Sequence, residues 1–136
     1  MPNRLCRVEI DGQPSDLTDT DIERLITSDS KFMVQVAEGV GKHIADRARG
    51  VSSSHVRNIY GTVKQMEMSG FKYHELVLLK PKIAYAAKRA ARDRADDLKK
   101  VLTAAIDAVG DNEYRFQRFA DFFEAILAYH KAYGGQ

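Results

Sequence analysis

The stretch that most constrains this chain runs from about Asp111 to Tyr133. Phe116, Phe119, Phe123, Ile126, Leu127 and His130 recur there at helical spacing along one broad stripe, while Phe122, Tyr129 and Tyr133 fall on a second. A helix apolar on two stripes has to be covered on both, either inside a helical bundle or by a partner chain. Asp111 or Asn112 can cap its start, and Gly134–Gly135 gives a flexible stop. It is the expected core helix, and His130 on its apolar stripe reads as a buried core or interface group.

The preceding elements repeat the helical period. Thr18 or Thr20 can cap a short helix ending near Ile26. Met33, Val36, Ala37, Val40 and Ile44 mark a helix from about Ser30 to Arg49, with Asp29 or Ser30 as cap. Gly39 and Gly41 weaken it by about 1 kcal/mol each relative to Ala, which points to a close helix crossing or a bend. After the Ser52–Ser54 run, Val56, Ile59, Tyr60, Val63 and Met66 form a stripe that ends at Gly70. Phe71–Leu79 predicts a short buried helix that the Lys80–Pro81 step interrupts, with Pro81 opening the next one. Ala95, Leu98, Val101, Leu102 and Ala105 continue that apolar face to Gly110, as one long helix or as two with a break near Asp93.

Residues 1–19 carry Gly12, Pro14 and scattered acids without a sustained period and read as an irregular acidic lead-in, although Leu5, Val8 and Ile10 allow a short extended segment. No strand pattern persists and no internal repeat occurs. The expected fold is therefore all-α: a single-domain bundle of about five or six helices over residues 20–136. At 136 residues the chain buries enough surface to need no staple. Its lone Cys6, near an end expected to be mobile, cannot close an internal disulfide. The start has no signal-peptide core and no apolar run reaches ~20 residues, so a cytoplasmic protein without membrane partners is expected.

Net charge is only +2, but its distribution is uneven: −4 over residues 1–30, +3 over 31–79, +5 over 80–100 and −2 over 101–136. The densest part is Leu79–Arg92. Wound at ~100° per residue, Ile83, Ala87, Ala90 and Ala91 share one face, and Lys82, Tyr85, Arg89 and Arg92 share the other. A basic face with an aromatic set into it suits a polyanion whose bases can meet a ring, and it equally describes a solvated surface with a tyrosine at its edge. Arg57, Gly61 and Lys64 make a second such face, where two cations flank a position without a side chain.

Catalytic patterns are missing. His43, His55, His74 and His130 form no metal-ligand spacing, so no metal or other cofactor is expected. Gly39 and Gly41 in EGVGK are out of frame for a phosphate loop. Ser52–Ser54 beside His55 is better explained by helix capping than by a nucleophile and its base.

Three segments together resemble a known family: SSSHVRNIYGTVKQM at 52–66, LLKPKIAYAAKRA at 78–90 and RFQRFADFFEAILAYHKAYGG at 115–135. They are similar to the small subunit of the type III-A CRISPR interference complex, the Csm effector, over about half the chain; residues 1 to about 50 lie outside the resemblance. The resemblance implies a non-catalytic helical subunit that binds guide RNA and target RNA in antiviral defence, beside the backbone and large subunits and neighbouring copies of itself. Its RNA-binding candidates here are Arg57, Lys64, Lys80, Lys82, Lys88, Arg89 and Arg92, with Tyr85 either stacking on RNA or packing in the bundle, and Arg118 and Lys131 as weaker ones. Two other readings fit the residues, a helical DNA-binding regulator and a structural adaptor that binds no nucleic acid.

Overall fold

The computed structural model describes residues 2–136. Six helices follow a two-stranded hairpin: β1 (Arg4–Ile10), β2 (Gln13–Thr18), α1 (Asp19–Thr27), α2 (Ser30–Ile44), α3 (Ser53–Ser69), α4 (Tyr73–Ala90), α5 (Asp93–Val109) and α6 (Glu113–Ala132). The chain is predominantly helical, as its apolar periodicity predicts.

Helix α6 is the centre. Phe116, Phe119, Phe122, Phe123 and Ile126 are buried, with α2, α3, α5 and α1 packed around them. The first stripe and Phe122 of the second are thus covered within the chain's own bundle, while Tyr129 is half-buried and Tyr133 exposed. Phe119 and Phe123 meet edge to face at 6.2 Å, the arrangement that ring quadrupoles favour. The crossing with α2 is close because Gly41 lacks a side chain: a Cβ there would lie 2.6 Å from that of Tyr129. Gly39 plays the same part on the other side of α2, where a Cβ would collide with the Glu9 carbonyl of β1.

The N-terminal segment differs from the irregular lead-in expected over residues 1–19. Arg4–Ile10 pairs antiparallel with Gln13–Thr18, Arg7 opposite Asp16 and Val8 opposite Ser15. Asp11 and Gly12 at φ 53° and 80° make the tight turn, a dipeptide suited to the positive φ of a two-residue hairpin loop. Cys6 and Val8 are buried where β1 packs on α2 and α5, and Leu17 where β2 packs on α1, so burial of the alternating face pulls the segment out of solvent. Cys6 accordingly sits in the core, and burial, reinforced by the Asp97 charge, pushes its thiol up to about 12. Thr18 closes a capping box with Asp21 at the start of α1, its hydroxyl accepting from the Asp21 N–H at 3.2 Å.

Pro81 also differs from expectation: α4 runs through it without interruption. The residue is exposed, as is Val77 four positions earlier, so the carbonyl deprived of its helical partner faces water, while Leu76, Leu79 and Ile83 keep the buried side in register. The break comes at Ala91, which takes the left-handed conformation at φ 55°, and Arg92 is the N-cap of α5, so of the two readings it is the pair of helices parted near Asp93 that forms. Helix α2 ends at Ile44, short of Arg49, because Asp46 folds the chain back by accepting from the N–H groups of Ala48 and Arg49, both at 2.9 Å.

Candidate nucleic-acid interface

Helices α3 and α4 form the basic side of the molecule. Residues 53–92 hold eight Lys and Arg against two Glu, so the remainder of the chain is net acidic. Helix α3 is capped by Ser52, whose hydroxyl accepts from the His55 N–H at 3.3 Å and lies 2.7 Å from His55 Nδ1. Helix α4 leans on α3 and α5, leaving its outer side to solvent, with Tyr85 66 % exposed.

The expected site residues separate into groups. Lys82, Tyr85 and Arg89 come together on one edge of α4, where they line a groove of about 250 Å³ shared with His55, Asn58 and Thr62 of α3. The Arg89 guanidinium lies over the Tyr85 ring, its carbon 5.7 Å from the centroid, so Tyr85 does not pack into the core. Arg57 and Lys64 are exposed on the far side of α3, about half a turn from the groove-lining face at ~100° per residue. Between them Gly61 has no neighbour within 4 Å of the position a Cβ would take, so no helix of this chain explains the glycine. Lys88 is exposed and sits about 120° around α4 from Lys82.

Three cations are occupied elsewhere. Lys80 forms an ion pair with Asp107 and joins α4 to α5. Arg92 donates through Nη1 to the carbonyls of Arg47 and Ala48, at 2.9 and 2.8 Å, fastening the α2–α3 loop to the α4–α5 junction. Beside it Arg49 pairs with Asp93, which holds that carboxyl below its ordinary range, the hydrogen bond outweighing burial. Arg118 is buried and caps the C-terminal end of α1: Nε donates to the Ile26 carbonyl at 2.9 Å, Nη2 to that of Leu25 at 2.7 Å and Nη1 to the Ser30 hydroxyl at 3.1 Å. Lys131 is exposed on α6 and lies 3.5 Å from the Ser53 hydroxyl.

Sequence reasoning did not single out Asn58 and Thr62 as site residues. Their spacing of four places them on one face of α3, but only the packing of α3 on α4 shows that this face looks toward Lys82 and Arg89.

The described residues bring no three His, Cys, Asp or Glu side chains together in a way that could hold a metal ion, and no helix is long and apolar enough to cross a membrane. Fold and surface thus define a small helical protein whose excess positive charge lies on α3 and α4, spread over more than one face. The chain belongs to the Csm2 Type III-A family, whose model it matches over residues 27–136, and so to the small subunits of the type III-A CRISPR complex. The hairpin and nearly all of α1 lie before the matched region. No curated protein and no solved structure matches the chain.

Proposed function

We propose that this subunit has no chemistry of its own and binds the backbone of guide RNA and target RNA through α3 and α4, in a cytoplasmic effector where it lies beside backbone and large subunits and neighbouring copies of itself. One observation carries the reading. Lys82 and Arg89 on one edge of α4, and Arg57, Lys64 and Lys88 on other faces of α3 and α4, have no carboxylate partner among the described residues, whereas Lys80 on α4 and Arg4, Arg7, Arg24, Lys42, Arg49, Arg94, Lys99 and Lys100 each have one; Lys31, Arg47, Lys72 and Lys131 are likewise without one. Paired cations have little attraction left for a phosphate; unpaired ones leave α3 and α4 with a net positive field that a polyanion can meet first at the Lys82–Arg89 edge. Such contacts position a nucleic acid without reading its sequence, which suits a complex in which guide pairing supplies specificity.

The test is RNA binding by the purified chain across a salt series. Each phosphate contact releases condensed counterions, so the logarithm of affinity should fall linearly with that of salt, by about 0.7 to 0.9 per contact. Lys82→Glu with Arg89→Glu should weaken binding and flatten the line. Affinity that stays constant from low to near-physiological salt would remove the reading.

A further inference from the structure

The groove between α3 and α4 differs from two larger grooves on the surface in how its polar groups are used. In the 510 Å³ groove beside the hairpin, Lys42 pairs with Glu9, His43 with Asp97 and Arg94 with Asp46. In the 720 Å³ groove between α1 and α5, Asn3 bonds Asp19 and Asp107 pairs with Lys80. The α3–α4 groove has no such internal pairs: the side chains of Asn58, Thr62, Lys82 and Tyr85 make no hydrogen bond or ion pair among the described residues, and Arg89 engages only the face of Tyr85. His55 uses Nδ1 on Ser52, which leaves Nε2.

These groups are of two kinds. Lys82 and Arg89 suit phosphate. A neutral carboxamide and a hydroxyl one turn apart, above a floor of Ile59, Leu79 and Ala86, can donate to phosphate oxygens, but each also carries an acceptor that a phosphate cannot use. They suit a flat, largely apolar group with donors and acceptors along its edge, and an exposed phenol beside them is a stacking platform for the same group. About 250 Å³ is less than the ~300 Å³ at which pockets for drug-sized ligands begin, so the space fits one ring system and not a length of chain. We infer that the α3–α4 groove is a seat for a single unstacked RNA base, with Tyr85 against its face, Asn58 and Thr62 on its edge, and Lys82 and Arg89 on the flanking phosphates. A base inside a helical stack presents neither its face nor most of its edge, so the base seated here is one displaced from the duplex or lying in a single-stranded stretch.

This inference rests on the RNA reading above, and its test separates the two. The full chain is titrated with a short RNA duplex bearing one bulged 2-aminopurine nucleotide, and with the same duplex carrying an abasic nucleotide at the bulge. Both share one phosphate backbone. The base-bearing RNA should bind about fivefold tighter or more, with its fluorescence quenched on binding, and Asn58→Ala with Tyr85→Ala should bring the ratio close to one. Equal affinities with the salt dependence intact would overturn the base seat and leave the phosphate reading standing. A preference that survives the double substitution would place the base elsewhere and also overturn it. Absence of salt-dependent binding to either RNA would overturn both.

Discussion

The guanidinium of Arg118 on α6 donates to the carbonyl of Leu25 at the end of α1, 2.7 Å away in a buried setting. With the Ile26 carbonyl and the Ser30 hydroxyl also on its fork, one side chain satisfies the helix end that nothing else in the core reaches. Arg118→Met keeps much of the volume and leaves two buried carbonyls without donors. It should cost about 2–4 kcal/mol, read as a lower urea midpoint. Arg118→Lys keeps the charge without the fork and should fall between the two, because an ammonium cannot reproduce three fixed donors. A variant as stable as wild type would show that water replaces the guanidinium.

Two helical glycines should respond to alanine in opposite directions. Gly41→Ala drives a methyl into Tyr129 and the α6 backbone, where a Cβ would stand 2.9 Å from the His130 nitrogen, and should destabilise by about 1–3 kcal/mol or prevent folding. Gly61→Ala meets open space in a regular helix and should stabilise by up to about 1 kcal/mol. Urea unfolding of the two variants beside wild type reads both signs. If Gly61→Ala also weakens RNA binding while the fold becomes more stable, the glycine is there for an approaching ligand.

Which parts of this architecture are legible in the residues depends on how local their cause is. The core helix α6 follows from spacing and residue type alone, and the caps are narrowed to neighbouring residues among which the structure takes Asp29, Ser52 and Asn112; Gly39 and Gly41 allow a close crossing or a bend, and packing makes Gly41 a crossing. The hairpin is written in Asp11–Gly12, but short strands beside Pro14 and several acids carry too little period to outweigh a reading as tail. A break near Asp93 is one of two readings the residues allow, and with neither glycine nor proline at Ala91 nothing local decides for it; the clasp of Arg92 on the α2–α3 loop and the pairing of Arg49 with Asp93 hold it. Pro81 misleads for the converse reason, since its steric signal is real but falls on a solvent-facing turn. At the interface, basic residues are visible in sequence, but which are already spent is not. Only tertiary structure shows that Lys80, Arg92 and Arg118 have partners while Lys82 and Arg89 do not.

That division gives a second test of the basic face. Lys82→Glu and Arg89→Glu alter exposed side chains without polar partners in the chain, so their joint effect on unfolding should stay within about 0.5 kcal/mol while RNA affinity drops. Arg92→Glu removes two hydrogen bonds to carbonyls and puts a carboxylate in their place, next to Asp93. It should lower the melting temperature by several degrees, corresponding to about 1–2 kcal/mol. A triple substitution that includes Arg92 would therefore mix loss of RNA contact with loosening of the loop, and the double variant is the cleaner probe. Equal melting temperatures for Arg92→Glu and wild type would return Arg92 to the group of free cations.

The buried His130 gives the fold an acid-sensitive point. Its ring is fully inaccessible, Nε2 lies 2.7 Å from the Val51 carbonyl and must donate to it, and Nδ1 has no partner. Gly135 closes over the ring, with no room for a Cβ. Protonating Nδ1 would create a buried charge without an acceptor, so burial holds the group below its ordinary 6.5, helped by the charge on Lys131 and opposed by the bond to Val51. When pH falls below about 6.5 the unfolded chain takes up this proton before the folded one does. The stabilising contribution is thus complete above that value and is lost progressively as pH drops toward the depressed folded value. Urea midpoints measured from pH 7.5 to 5.5 should be level at the upper end and decline through the lower half. His130→Gln, which keeps a donor for Val51 and cannot titrate, should be less stable at pH 7.5 and show a flatter profile over the same interval. A wild-type midpoint unchanged between pH 7.5 and 5.5 would mean that the ring accepts its second proton in place.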